Sequence, residues 1–132
     1  MTKPITLIEG DAQRLYDEVT RALHSQWWER PHDSTGDRVV HVGVDGRRSW
    51  LVALAPEFIG AFRSLPYRWI EDHWELGEVD RPKSAEIRSL LKRFQVSHDC
   101  APEGDRMREE FHRTAVDLGL QAHPSMWGED LK

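Results

Sequence analysis

Arg38-Val39-Val40-His41-Val42-Gly43-Val44-Asp45-Gly46-Arg47-Arg48-Ser49-Trp50-Leu51-Val52-Ala53-Leu54 is the stretch on which the fold class turns. Two runs rich in β-branched and aromatic residues flank Asp45-Gly46. That dipeptide suits the two-residue hairpin turn, because glycine takes positive φ at no steric cost. The pattern predicts a β-hairpin with Val44 opposite Arg47, Val42 opposite Ser49, Val40 opposite Leu51 and Val39 opposite Val52. In that register His41 faces Trp50 and packs beside it as a structural residue. Val40, Val42, Val44 and Leu51 make one face, and Val39, Trp50, Val52 and Leu54 the other. Both faces are apolar enough to require cover.

Helices on either side provide that cover. Upstream, Ile5-Thr6-Leu7-Ile8 reads as a short first strand. Asp11 then caps a helix whose stripe is Ala12, Leu15, Tyr16, Val19, Ala22, Leu23 and Trp27, with Arg14, Asp17, Glu18 and Arg21 on the wet side. Residues 30–37 read as a loop. Downstream, Pro56 opens a short helix with Phe58, Ile59, Phe62 and Leu65 inward, and Pro66 closes it. Residues 67–79 fit two readings: one helix through Tyr67, Ile70 and Trp74, or two short strands turning near Asp72-His73. Ser84 caps an amphipathic helix with Ile87, Leu90, Leu91 and Phe94 inside and Arg88, Lys92 and Arg93 outside. Residues 99–104 read as loop. A last helix starts near Asp105, with Met107, Phe111, Ala115 and Leu118 inward and Gly119-Leu120 closing it as a Schellman motif. The expected architecture is α+β: a small antiparallel sheet built on the hairpin, packed by three to four helices. Residues 1–120 make the single domain. Residues 121–132 are a polar tail whose Met126 and Trp127 are expected to dock on the domain or a partner.

The chain has 132 residues, enough for one core without staples. Its single cysteine, Cys100, permits no internal disulfide and fits a reducing compartment. The N-terminal residues lack the apolar stretch of a signal peptide, and the longest apolar run, residues 50–55, is too short to span a bilayer. The expectation is a soluble cytoplasmic protein. A net charge of −5 weighs against a nucleic-acid partner, whose footprint is a basic excess. The charge is uneven. Residues 71–80 carry Glu71, Asp72, Glu75, Glu78 and Asp80 with no Lys or Arg, whereas residues 81–93 carry Arg81, Lys83, Arg88, Lys92 and Arg93 against Glu86 alone.

Several constellations bear on chemistry. His98-Asp99-Cys100, His112 and His123 are the candidates for a metal site, with His and Cys suited to zinc, but their spacing matches no standard finger or ribbon. Glu109 and His112 have the spacing of a carboxylate-bridged di-iron unit without the second such pair. Glu109 is better placed four residues before Arg113 for a surface ion pair. Cys100 has His98 nearby, yet Asp99 and Glu103 would oppose a thiolate. No nucleophile elbow, phosphate loop or His-Glu-x-x-His is present. No catalytic residue, metal or cofactor follows. The reading is a non-enzymatic interaction module (an inhibitor, immunity-type protein, adaptor or small chaperone). Its partner-facing residues are Trp69, Glu71, Asp72, Trp74 and Glu75, and its partner is a protein with a basic surface. The first alternative is a small enzyme or metal protein using His98, Cys100 and His112. The second is a nucleic-acid binder using the Arg88–Arg93 helix face. Oligomeric state is not legible.

Overall fold

Apolar residues recurring every three to four positions after Asp11 build the first helix, α1 (Ala12–Ser25), and the Asp11 carboxylate accepts from the Arg14 N–H at 3.0 Å. The computed structural model describes residues 3–122. The tail residues Met126 and Trp127 lie outside the described residues. Downstream of α1 come α2 (Trp50–Ala53), a 3₁₀ turn (Pro56–Phe58), α3 (Ile59–Ser64), α4 (Ile70–Glu75), α5 (Ala85–Cys100) and α6 (Asp105–Leu118).

The expected α+β architecture is therefore wrong. Among the described residues there is no strand and no sheet, only three isolated bridges: Ile5 with Val79, His32 with Val39, and Val42 with Arg48. The strand expected over Ile5–Ile8 reduces to the first of these. The hairpin fails for two reasons. Its turn is one residue longer than expected. The Gly43 carbonyl accepts from the Gly46 N–H at 3.0 Å, Gly46 sits at φ 92°, and the Gly43 N–H donates to the Arg47 carbonyl at 2.7 Å. This is the three-residue loop in which a turn is followed by a left-handed glycine. The added residue slips the register by one. Val42 meets Arg48, and His41 meets Ser49, whose N–H donates to the His41 carbonyl at 2.9 Å. His41 thus does not share a cross-strand pair with Trp50.

The second failure lies in the run that follows. Trp50-Leu51-Val52-Ala53 is a helical turn, with Trp50, Leu51 and Val52 all buried. A continuous apolar run has no period to separate a buried strand from a buried helix. A helix satisfies its backbone groups from within, and among the described residues no partner strand lies alongside to do so.

The core forms where α1, α2, α5 and α6 meet. The Phe94 ring lies 6.4 Å from Tyr16, 5.9 Å from Trp50 and 5.7 Å from Phe111, and the Tyr16 hydroxyl donates to the Phe111 carbonyl at 3.0 Å. As expected, Leu90, Leu91 and Phe94 of α5 and Met107, Phe111 and Ala115 of α6 are buried. Ile87 is half-buried and Leu118 exposed. The cap at Gly119 has the expected form: its φ is 71°, and the Leu120 N–H donates to the Ala115 carbonyl at 2.8 Å.

Two further expectations are corrected. α5 runs through Asp99 to Cys100, so the loop starts later than expected. The apolar stripe of α1 ends before Trp27. Trp27 and Trp28 follow the helix at φ 57° and 60°, a left-handed pair that reverses the chain. Trp28 goes into the core, its indole N–H donating to His24 Nδ1 at 3.2 Å, while Trp27 is left 55% exposed.

Candidate functional site on helix α4

Tyr67-Arg68-Trp69-Ile70-Glu71-Asp72-His73-Trp74-Glu75-Leu76-Gly77 resolves as the short helix α4 with Trp69 just before it and Gly77, at φ 74°, just after it. Of the two readings of residues 67–79, the structure has the helix, but only over Ile70–Glu75, with Tyr67 outside it. Ile70 and His73 point inward and are buried, three apart on one side. Trp74 is half-buried and packs against the core. Glu71, Asp72 and Glu75 are exposed, as are Trp69 at 46% and Leu76 at 58%. Four of the five residues assigned from the sequence to partner contact, Trp69, Glu71, Asp72 and Glu75, therefore lie at the surface. Trp74 is turned partly away from it.

Glu71 and Asp72 occupy the first turn of α4, where exposed N–H groups favour negative charge. Glu71 reaches Lys92 of α5 at 3.1 Å. Arg68 pairs with Glu78 at 3.4 Å. Among the described residues neither Asp72 nor Glu75 has a Lys or Arg partner, so the outer face keeps unneutralised negative charge around its apolar groups.

The inner face of α4 carries what the sequence did not disclose. His73 Nδ1 lies 2.7 Å from Glu78 Oε1, and His73 Nε2 lies 3.0 Å from His41 Nε2. His41 Nδ1 in turn lies 2.9 Å from Ser49 Oγ. His41, Ser49 and His73 are all buried, and Glu78 is partly exposed. Burial, with the neighbouring His73 and His98, pushes the His41 pKa down to about 3. Burial also lowers that of His73, against the opposing pull of the Glu78 carboxylate. Both imidazoles are neutral at pH 7.

The Tyr67 ring stands 4.8 Å from that of His41 and opens a second polar group. The Tyr67 hydroxyl donates to Asp99 Oδ1 at 2.6 Å and accepts from Gln95 Nε2 at 3.0 Å. His98 Nδ1 lies 2.8 Å from Asp99 Oδ1, and Gln95 also donates to the other Asp99 oxygen. Burial pushes Asp99 up, but the bonds from His98 and Tyr67 outweigh it and hold the carboxyl below its ordinary value. Burial lowers His98. Gln95 also ties this group to α4, its Oε1 accepting from the Ile70 N–H at 2.7 Å.

One signal for this layer is present in the sequence. The α5 stripe through Leu91 and Phe94, continued by helical spacing, lands on Gln95 and His98. Nothing in the chain order pairs His41 with His73, 32 residues apart.

The other sequence candidates are not assembled. His98 is buried and engaged through Nδ1, Cys100 is exposed, His123 lies outside the described residues, and among the described residues no three His, Cys, Asp or Glu side chains are grouped for a metal. The cations of the α5 face have protein partners. Arg88 donates to the Pro82 and Lys83 carbonyls, each at 2.8 Å. Lys92 pairs with Glu71 at 3.1 Å, and Arg93 pairs with Asp117 at 3.0 Å. No described helix is long and apolar enough to cross a membrane. Comparison with protein-family models, with curated proteins and with solved structures found no match to this chain.

Proposed function

We propose that this chain is a non-catalytic interaction protein that grips a basic protein surface through the outer face of α4. The observation that carries the reading is the composition of that face. Trp69 and Leu76 stand exposed beside Asp72 and Glu75, which have no cationic partner among the described residues. An exposed Trp supplies anchoring area, and surrounding acids steer a basic partner and exclude acidic ones. His41 and His73 are buried and engaged at both ring nitrogens, which suits scaffolding rather than turnover.

The test takes the partner that the intact chain captures from its native cell extract and measures its association with three forms of the protein. Trp69→Ala is expected to weaken binding roughly thirtyfold, the effect of losing an anchor worth about 2 kcal/mol. The triple replacement of Glu71, Asp72 and Glu75 by Ala is expected to slow association, most at low salt, with the circular dichroism spectrum unchanged. Unaltered affinity and salt dependence in both variants would remove α4 as the docking face.

A further inference from the structure

A helix of six residues cannot hold itself in place through its own hydrogen bonds. α4 is fixed by the burial of Ile70, the bond from the Ile70 N–H to Gln95, the surface pair of Glu71 with Lys92, and the contact of His73 with His41. The last of these counts protons.

The Glu78 carboxylate accepts from His73 Nδ1–H, so the neutral His73 ring must accept at Nε2. His41 Nε2–H is then the donor across the 3.0 Å contact, and His41 Nδ1 accepts from the Ser49 hydroxyl. One tautomer of each ring satisfies the whole chain. A single added proton can also be housed. His73 becomes an imidazolium donating to both Glu78 and His41, and the His41 proton moves to Nδ1, where it donates to Ser49 Oγ. A second proton has no such solution, because both Nε2 atoms then carry hydrogen and face one another.

We propose that the His41–His73 pair is a proton-operated latch on α4, holding the helix with zero or one added proton and releasing it with two. Resting on the reading of α4 as the docking face, the latch makes the grip on a basic partner fail on acidification.

The groups facing the pair set its direction. Asp72 on α4, Glu78 after it and Asp99 on α5 favour charging. Arg68 before α4 and His98 on α5 oppose it, as does burial. Tyr67 lies against His41 and is neutral, its pKa raised by burial and by the Asp99 charge. Burial prevails for both rings. Opening α4 returns the imidazoles to ordinary water-exposed values near 6.5, above their values in the closed form. Closure is therefore fully favoured above about pH 6.5 and weakens as pH falls below it.

The test is amide hydrogen exchange on the intact protein without partner, at pH 7.5, 6.5 and 5.5, corrected for the intrinsic pH dependence of exchange. Opening of α4 that takes up two protons rises about a hundredfold per pH unit, and about tenfold if one is taken up. The expected result is at least a tenfold rise at residues 70–76 between pH 6.5 and 5.5, with exchange there faster at every pH than at residues 107–115 of α6, which open only with the whole fold. His73→Gln, which keeps a donor and an acceptor but cannot charge, should reduce the rise at α4 to tenfold per unit or less. Should that variant not fold, nitrogen NMR of the wild-type rings decides. At pH 7.5 His73 is expected as the Nδ1–H tautomer and His41 as the Nε2–H tautomer, and an imidazolium on either ring would overturn the latch. No pH dependence in α4, or exchange in α4 as slow as in α6 at every pH, would overturn it as well. Because exchange is read without the partner, failure of the latch is distinguishable from failure of α4 as a docking face.

Discussion

Acidification from pH 7.5 to pH 5.0 should destabilise the whole fold, and the size of the effect follows from one ring. His41 is held at a pKa of about 3 in the folded protein against 6.5 in water. A folded value below the unfolded one means that the unfolded chain binds the proton first. The stabilisation is complete above about pH 6.5 and is lost as pH falls toward the folded value. At pH 5.0 the unfolded ring has gained about 1.5 pH units of protonation free energy, or about 2 kcal/mol. The full loss, at acid pH, approaches about 5 kcal/mol. His73 and His98 are shifted the same way by burial and add to it. Carboxylates do not confuse this window. The lowered Asp33, Asp45 and Asp99 lose their contributions only as pH falls below about 4, the ordinary carboxylate value. Against a domain stability of roughly 5–15 kcal/mol, a loss of about 2 kcal/mol is readily measured. Urea unfolding followed by Trp fluorescence should show the midpoint falling by roughly 1 M between the two pH values, given a slope of about 1–3 kcal/mol per molar. A midpoint at pH 5.0 equal to or above that at pH 7.5 would refute neutral, buried imidazoles at the centre of this fold.

Two further outcomes test the packing that positions α4. Leu91→Ala, at a fully buried site on α5, should cost about 2–5 kcal/mol in chemical denaturation, whereas Lys92→Ala on the exposed side should stay within about 0.5 kcal/mol. Arg30 serves the C-terminus of α5: its Nε donates to the His98 carbonyl at 2.6 Å, and Nη2 donates to the carbonyls of Asp99, at 3.2 Å, and of Ala101. Arg30→Ala should destabilise by about 1.5–3 kcal/mol and raise amide exchange in the last turn of α5. Arg30→Lys should restore only part of this, because an ammonium cannot reproduce the fork. Equal stability of both variants with the wild type would show that the guanidinium is not a cap.

The long helices were legible in the chain because each carries its own instructions. Asp11 and Ser84 accept from the N–H three residues on, Gly119 supplies the left-handed stop, and the apolar positions recur every three to four residues. The acids of α4 and Trp69 lie close together in the chain, but a six-residue helix carries too little period to be told from two short strands, so which of them share a face was not legible. Residues 38–54 were not, because the decisive information is absent from the segment. Asp45-Gly46 announces a turn, but whether the loop has two residues or three depends on the Gly43 contacts across it. Val42 and Val44 are good strand formers that find almost no partner. The backbone from 38 to 44 bonds to the 31–33 segment and residues 47–49, and among the described residues no further strand lies alongside. Trp50 to Val52 is an unbroken apolar run that reads equally as buried helix or buried strand, and it is a helical turn with all three side chains buried. The His41–His73 contact is of the same kind. Neither residue is exceptional in its own neighbourhood, and the pair exists because a slipped turn and a six-residue helix set two neutral rings 3.0 Å apart in a core that leaves no room for two extra protons between them.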